Sequence, residues 1–298
     1  MLAARLHEYT EEMSHALSID EVDRPSADGP DDVIVEVGDR VICHPHMTCG
    51  TCRPCRLGED MYCENAQFPG LTTDGGFAEF LHTNERAVIP LPHGVDPADI
   101  APHADAGITA YHAVKKAVRE LNPGDHAVVI GVGGLGHIGL QCLDAMSAAE
   151  ITALDLKEEA RDLATDLGAH HVVDPSSVDV AAEIESITDG VGAQQVVDFV
   201  GADVTTAYAP DITAAGGDHH IVGYGGHIHE PSQALVNGEF AYRGTLVGRY
   251  AELQELVALV ERGEVELRTS RYDLDEINTV AERLEHGEIE GRAVIVPP

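Results

Sequence analysis

Residues 128–139 read VVIGVGGLGHIG, and this stretch decides the fold class of the chain. The apolar residues before it are typical of a buried strand, and the residues after it have the period of an amphipathic helix. Gly131, Gly133 and Gly136 fit the pattern G-x-G-x-x-G. The first glycine allows a tight turn, the second lets the backbone approach a pyrophosphate, and the third permits close packing of helix on strand. The stretch therefore predicts a dinucleotide site within a βαβ unit.

An acidic residue at a fixed distance supports that prediction. A second predicted strand, ITALDL, ends at Asp155, nineteen residues after Gly136. An acid about 20 residues beyond the glycines accepts a hydrogen bond from the ribose 2′-hydroxyl, and it repels a 2′-phosphate. NAD is therefore favoured over NADP, with Gly134 and Leu135 of the turn included in the predicted binding set. The alternative is a cluster of packing glycines followed by an aspartate that caps a helix.

The glycine turn belongs to a longer alternation of strands and helices. HAVVIGV, ITALDL, HHVVDP, QQVVDFV, HHIVGY and GTLVG are predicted strands, and amphipathic segments such as EEARDLATDLGA and YAELQELVALVERG separate them. Such alternation is typical of a parallel sheet in the α/β class. The first third of the chain differs, because DDVIVEV, DRVICHP, FAEFL and AVIPLP are short β-like runs separated by glycine and proline.

Four of the six cysteines lie close together in the sequence CGTCRPCRLGEDMYC, at Cys49, Cys52, Cys55 and Cys63. Four thiolates at this spacing fit a closed, tetrahedral zinc site that has no position for substrate. An iron–sulfur cluster is the rival, but in ferredoxins the fourth cysteine comes three residues after the third and precedes proline. Here it comes seven residues later in the C-x2-C-x2-C-x7-C pattern. Zinc is therefore the predicted metal, and free thiols or disulfides are the remaining alternative.

Composition and charge exclude several classes of function. The 298 residues carry 52 acidic and 18 basic side chains, a net charge of −34. Nucleic acids and anionic membranes need clustered positive charge, so neither is an expected partner. No run of 18 apolar residues occurs, and the start MLAARLHEYTEEMS becomes acidic too soon for a secretory signal. Together with clustered cysteines, this predicts a cytosolic protein, and the dispersed acids predict adaptation to high salt.

The order of GDRVICHP, the cysteine lobe, GGFAEFL, AGITAYHAV, the glycine turn and EGRAVIVPP resembles the zinc-dependent medium-chain alcohol dehydrogenases, most of all the archaeal ones. The resemblance covers nearly the whole chain. It implies a GroES-like catalytic domain at 1–107 with a zinc lobe at 43–66, a Rossmann NAD-binding domain at 108–265, and a C-terminal segment at 266–298. It also implies two zincs per subunit, a dimer or tetramer, and hydride transfer between an alcohol or polyol and NAD.

The resemblance carries over to single residues. The four cysteines match the structural zinc ligands, and Asp155 matches the ribose acid. Asp105 falls where the family places one catalytic zinc ligand, Thr109 matches a nicotinamide contact, and Arg292 matches an arginine near the pyrophosphate.

The chain also departs from the family between its first strands. Members carry a G-x-C-x-[TS]-D segment and a G-H-E segment there, which supply two catalytic zinc ligands and the start of a proton relay. Here DDVIVEVGDRVICHP runs on directly, as if an internal deletion had shortened the domain. Asp105 is the remaining candidate ligand, so a catalytic zinc is in question. Histidines 44, 46, 103, 219, 220, 227 and 229 are possible substitutes, although surface or strand-end positions are expected for them.

Three functions remain open on the sequence. The first is an NAD-dependent, zinc-containing alcohol dehydrogenase. The second is a catalytically impaired paralogue that keeps NAD and the structural zinc. The third is a zinc-independent, quinone-reductase-like oxidoreductase of the same superfamily, which the intact cysteine lobe disfavours. The particular alcohol, polyol or sugar cannot be read from the sequence.

Overall fold

The computed structural model describes residues 1–7 and 17–298 of the chain. The acidic part of the N-terminal stretch that argues against a secretory signal, residues 8–16, lies outside the described residues. The chain divides into two units: unit 1 contains residues 1–105, 248–262 and 267–298, and unit 2 contains residues 106–247 and 263–266. The sequence-based division assigned 248–262 to the coenzyme domain, whereas the structure groups this segment with unit 1.

Unit 1 starts with a β-rich segment of short paired strands. The elements up to residue 105 are β1 (Leu2–Leu6), β2 (Leu17–Glu21), β3 (Asp32–Glu36), β4 (Val41–Cys43), α1 (Arg53–Arg56), β5 (Phe80–Asn84), β6 (Val88–Pro90) and α2 (Pro97–Ile100). Strands β1 and β2, β3 and β5, and β4 and β6 form three separate antiparallel pairs. Each strand of a two-stranded sheet has one edge without a partner in that sheet.

Unit 2 alternates helices and strands as predicted. Its elements are α3 (Ala106–Ala117), β7 (His126–Ile130), α4 (Gly136–Met146), β8 (Glu150–Leu154), α5 (Glu158–Asp166), β9 (His171–Val173), α6 (Val180–Ile187), β10 (Ala193–Asp198), α7 (Asp203–Ile212), β11 (Thr213–Ile221), α8 (Ser232–Gly238) and β12 (Ala241–Gly244).

The last part of the chain returns to unit 1 with α9 (Tyr250–Glu261), β13 (Thr269–Asp273), α10 (Ile277–Glu285) and β14 (Arg292–Val296). Strands β13 and β14 pair in parallel. The side-chain amide of Asn278 joins this segment to the start of the chain, because it donates to the carbonyl of Leu17 at 2.7 Å.

The sheet of unit 2 is six-stranded and parallel, in the order β12-β11-β10-β7-β8-β9. Numbered from its first strand, this is the doubly wound order 3-2-1-4-5-6 read from the other edge. The order reverses at β7, which lies between β8 and β10. Ligands of such sheets bind at the carboxyl ends of the strands beside this switch point. The α/β prediction with a Rossmann-type sheet is confirmed.

Two apolar clusters lie on opposite faces of this sheet. Val196 packs in a cluster with Ile184 and Ile212, whereas its neighbour Val197 packs in another with Ala113. Adjacent residues of a strand point to opposite faces, so both faces are buried under helices. This burial on both faces explains the apolar runs in the sequence, since neither face of these strands is exposed to solvent.

Two predicted strands differ from the observed ones. The run GTLVG was predicted as the last strand of the sheet, but β12 is Ala241–Gly244, and only its final residue belongs to that run. The predicted strand FAEFL starts three residues before β5 and shares only Phe80 and Leu81 with it. Both predicted runs overlap the observed strands but miss their bounds, because short apolar runs do not define where a strand begins and ends. In the described part of the chain, no helix has the length and apolar character needed to cross a bilayer.

Candidate functional site

The four cysteines of the lobe converge although they are spread over fifteen residues. Cys52 precedes α1, Cys55 lies within it, and Cys63 follows a 3-10 turn at Asp60–Tyr62. One ligand atom from each cysteine lies within 4.8 Å of the others. Sγ of Cys63 lies 3.6 Å from that of Cys49 and 3.9 Å from that of Cys52. A tetrahedron of sulfurs about 2.3 Å from zinc has S···S edges of about 3.8 Å, so the geometry fits zinc.

The electrostatics of the lobe also fit a dication. Backbone N–H groups of Cys52 and Thr51 lower the pKa of the Cys49 thiol to about 5. Burial, in contrast, raises the pKa of Cys55 to about 12. A bound Zn²⁺ supplies the positive charge that keeps four neighbouring thiolates deprotonated. All six cysteines are free thiols rather than disulfides. The lobe would therefore hold zinc with its four cysteines and leave no open coordination position.

The glycine turn lies at the carboxyl end of β7, where the topology places a ligand. Gly131 has a φ of +83°, and a Cβ there would lie 2.6 Å from Cγ2 of Val200. A Cβ at Gly136 would overlap the backbone carbonyl of Gly131, so α4 packs directly on the turn. A Cβ at Gly133 would meet nothing within 4 Å. The turn is thus closed towards the protein and open at its second glycine, which fits the approach of a pyrophosphate to the start of α4.

Asp155 lies beside this turn, at the carboxyl end of the neighbouring strand β8. Its Oδ2 accepts a hydrogen bond of 2.8 Å from the backbone N–H of Val132, and its Oδ1 accepts one of 2.9 Å from that of Lys157. An ionised carboxylate has about four acceptor positions, so two bonds leave capacity for ribose hydroxyls. The structure therefore brings the predicted glycines and the predicted acid together.

A second acid at this edge was missed by the sequence analysis. Asp198, at the end of β10, is fully buried. Its Oδ1 accepts from the backbone N–H groups of Val200 and Gly201, and its Oδ2 accepts from the hydroxyl of Thr205 at 2.6 Å and lies 3.4 Å from Nε2 of His219. Burial acts to raise the pKa of Asp198, but the bonds from His219, Thr205 and the backbone outweigh it and lower the pKa.

The ionised Asp198 thereby fixes the loop that lines the glycine turn. Phe199 in this loop donates its backbone N–H to the carbonyl of Ile130 at 2.9 Å, and a Cβ at Gly139 would overlap its ring. The signal was present in the sequence, since the predicted strand QQVVDFV contains an acid, Asp198, at the position where β10 ends. Its importance depends on β10 pairing with β7, which the sequence does not show.

The remaining predicted residues are separate from these groups. Asp105 is exposed after the 3-10 turn Ala101–Ala104. Thr109 is half-buried in α3 of unit 2. Arg292 begins β14 in unit 1, and its backbone N–H donates to the carbonyl of Arg268 at 2.8 Å.

A catalytic zinc needs at least two protein ligands besides Asp105. Within residues 1–7 and 17–298, two groups of three or more side chains have their ligand atoms close enough for a metal: the four cysteines, and Asp203 with His227 and His229. Neither group contains Asp105, so the residues present do not fit a catalytic zinc. The assignment of Asp105 as a ligand stays a prediction.

The histidines before the lobe have packing roles. The expected surface position was wrong for five of the seven histidines named as possible substitutes, because His44, His46, His103, His219 and His220 are buried. His44 does lie at a strand end, directly after β4. Nδ1 of His44 accepts the backbone N–H of His46 at 3.1 Å, and its Nε2 lies 3.0 Å from the carbonyl oxygen of Gly248. The ring of His46 packs edge-on against Phe68 at 4.8 Å. These contacts use both nitrogens of His44 within unit 1.

A doubly wound sheet with this glycine turn, together with a four-cysteine zinc lobe, defines the class of zinc-binding dehydrogenases. The family model for the zinc-binding dehydrogenase domain matches residues 134–262, and that for the alcohol dehydrogenase GroES-like domain matches residues 25–93. The chain is 34% identical over 263 residues to an alcohol dehydrogenase of Geobacillus stearothermophilus, covering 88% of this chain and 76% of the relative. It belongs to the zinc-dependent medium-chain alcohol dehydrogenase family.

Two further relatives agree with this family. An NAD-dependent alcohol dehydrogenase of Sulfolobus acidocaldarius is 33% identical over 261 residues, which cover 86% of this chain and 74% of that one. The crystal structure of the alcohol dehydrogenase from the hyperthermophilic archaeon Aeropyrum pernix superposes with a TM-score of 0.91 at 42% identity, over 100% of both chains. The resemblance drawn from the sequence motifs is confirmed at the level of the family.

Proposed function

We propose that the protein is an NAD-dependent dehydrogenase that transfers hydride between NAD and an alcohol or polyol. The observation that carries this proposal is the open glycine turn beside Asp155, at the switch point of the parallel sheet. Relatives of the chain include NAD-dependent alcohol dehydrogenases. When bound, NAD accepts the hydride that leaves the alcohol carbon.

The chain's own residues would bind and orient this coenzyme. The start of α4 would receive the pyrophosphate beside the open position at Gly133. Asp155 accepts hydrogen bonds from the adenosine ribose, and its charge opposes a 2′-phosphate. Asp198 is a positioning residue that holds the loop beside the turn. The resemblance to the family adds Gly134, Leu135, Thr109 and Arg292 as proposed coenzyme contacts.

Calorimetric titration of NAD and NADP tests the coenzyme part of the proposal. Asp155→Asn removes the charge, and its single amide oxygen can accept from only one of the two backbone N–H groups, so the preference for NAD is expected to fall by about tenfold or more. Asp162→Asn is the matched control, because Asp162 is an exposed acid on α5 of the same unit. A wild-type protein that binds NADP more tightly than NAD would contradict the role of Asp155.

Oxidation of a panel of alcohols and polyols, followed by the absorbance of NADH, tests the reaction. The metal content of the same sample is measured, because a complete enzyme of this family holds two zincs per chain and a chain with the lobe alone holds one. Formation of NADH by a sample with two zincs supports the proposal. One zinc without any NADH would exclude the reaction for this chain.

A second candidate function rests on the incomplete catalytic metal site. In the described residues Asp105 is exposed and has no pair of partner ligands, while the coenzyme turn and the cysteine lobe are intact. A paralogue that binds NAD and one zinc without oxidising alcohols would have this combination. The quinone-reductase-like alternative is disfavoured by the convergent cysteines. NAD binding without activity separates the second candidate from the first.

We also propose a homo-oligomer that works in the cytoplasm at high salt. The free state of all six cysteines supports a reducing compartment.

Strand β12 is an edge of the six-stranded sheet, and an edge strand offers unpaired backbone groups to a second copy. Size-exclusion chromatography with light scattering in molar KCl measures the state, and a monomer there would contradict the proposal. The net charge of −34 supports adaptation to salt.

A further inference from the structure

A second group of metal-ligating side chains lies in unit 2, apart from the cysteine lobe. It consists of Asp203, His227 and His229, whose ligand atoms lie within 4.8 Å of one another. Nδ1 of His227 is 3.1 Å from Oδ1 of Asp203. The two imidazole rings stack with centroids 5.6 Å apart and an angle of 25° between their planes. Two imidazoles and one carboxylate thus face a common point on an exposed surface.

The backbone holds this group in place. Asp203 is the first residue of α7, and its Oδ1 accepts the backbone N–H of His227 at 2.6 Å. The carbonyl of His227 in turn accepts the hydroxyl of Thr206 at 2.7 Å. Gly226 allows the close approach, because a Cβ there would lie 2.5 Å from the carbonyl carbon of Ala202. The loop after β11 is therefore fixed against the start of α7 before any ligand arrives, which lowers the cost of binding one.

We propose that Asp203, His227 and His229 form a surface site for a divalent transition-metal ion of the zinc, nickel and copper class. Imidazole nitrogens are preferred ligands of these ions, whereas calcium and magnesium need mainly oxygen. Three protein ligands leave the other coordination positions to water. The acidic surface of the protein raises the local concentration of cations around such a site.

The arrangement is more than an exposed ion pair. An ion pair between His227 and Asp203, whose side chains are 73% and 68% exposed, contributes little to stability by itself. The second imidazole, from His229, adds a third ligand atom, so that the three side chains together can chelate one ion. A bound ion would cross-link α7 to the loop that follows β11.

Isothermal titration of the full-length protein, loaded with one equivalent of zinc in its cysteine lobe, with Ni²⁺ tests the site. The wild type is expected to bind one Ni²⁺ without releasing the zinc of the cysteine lobe. His229→Ala removes a ligand that makes none of the backbone bonds described above, and it is expected to weaken Ni²⁺ binding by at least about tenfold, since loss of outer partners alone costs 10–100-fold in metal sites. Asp203→Asn keeps an acceptor for the N–H of His227 and is expected to weaken binding as well.

The matched control is His93→Ala, because His93 is an exposed histidine of unit 1 and lies outside the group. It should bind Ni²⁺ as the wild type does, and circular dichroism should be the same for all variants. The electron paramagnetic resonance spectrum of one equivalent of Cu²⁺ should show two nitrogen ligands in the wild type and one in His229→Ala. Absence of Ni²⁺ binding by the wild type, or equal binding by His229→Ala, would overturn the proposal. Neither result depends on NAD or on alcohol oxidation.

Discussion

Replacement of Gly136 by alanine should destabilise the protein strongly, because the new Cβ has no space. It would lie 2.8 Å from the carbonyl carbon of Gly131 and overlap the oxygen of the same carbonyl, whereas real Cβ atoms stay at least 3.0 Å from such neighbours. The obstacle is backbone, so no side-chain rotation can relieve it, and α4 must move away from the turn. Overpacking of this kind costs about 1–3 kcal/mol, and a rigid obstacle places the cost near about 3 kcal/mol.

The assay is thermal unfolding followed by circular dichroism. For a domain the size of unit 2, about 3 kcal/mol lowers Tm by about 6–12 °C. Gly133→Ala is the matched control, because a Cβ at Gly133 meets nothing within 4 Å. Its Tm should stay at the wild-type value, while its affinity for NAD should fall by about tenfold or more, since the methyl group occupies the space that a pyrophosphate needs. An unchanged Tm for Gly136→Ala, or an equal loss in Gly133→Ala, would refute the reasoning.

Three further predictions concern the metal lobe, acid and salt. Cys63→Ser should abolish the retention of zinc, measured by mass spectrometry, and should lower Tm. Cys43→Ser, which lies outside the lobe, should keep the zinc. Equal zinc content in both variants would contradict the assignment of the four cysteines as zinc ligands. Burial lowers the pKa of His220 from 6.5 to about 4 in the folded protein. As pH falls, the unfolded chain therefore takes up a proton at this histidine at a higher pH than the folded chain does. About 3 kcal/mol of folding stability is lost between pH 6.5 and 4 for this reason. Urea unfolding should show this loss, and His220→Gln should reduce it. Finally, Tm should rise from low to molar KCl, because salt screens the net charge of −34; a flat or falling Tm would exclude salt adaptation.

The features that the sequence predicted correctly depend on fixed local spacing. The glycine turn and the four cysteines are each encoded within fifteen residues, and the backbone geometry of a turn or a short lobe follows from that spacing. Asp155 was predicted because β8 follows the turn after a single helix, so its distance along the chain is nearly constant.

The features that the sequence missed depend on pairing between distant segments. Asp198 becomes important only because β10 lies beside β7, and their registers are set by the whole sheet. The partnership of Asp203 with His227, 24 residues later, requires the loop after β11 to return to the start of α7. Two histidines near the fifth strand were visible in the sequence, but the acid that joins them was not.

The interrupted chain path of unit 1 has a consequence for synthesis on the ribosome. The segment that builds unit 2 is nearly continuous, so its sheet can be completed as soon as residue 247 has emerged. Unit 1 must wait for residues 267–298, which carry β13, β14 and the Asn278 amide that bonds Leu17. Its first 105 residues therefore spend most of translation without their final contacts. During that interval the cysteine lobe, whose four ligands have all emerged with residue 63, can already close around its metal.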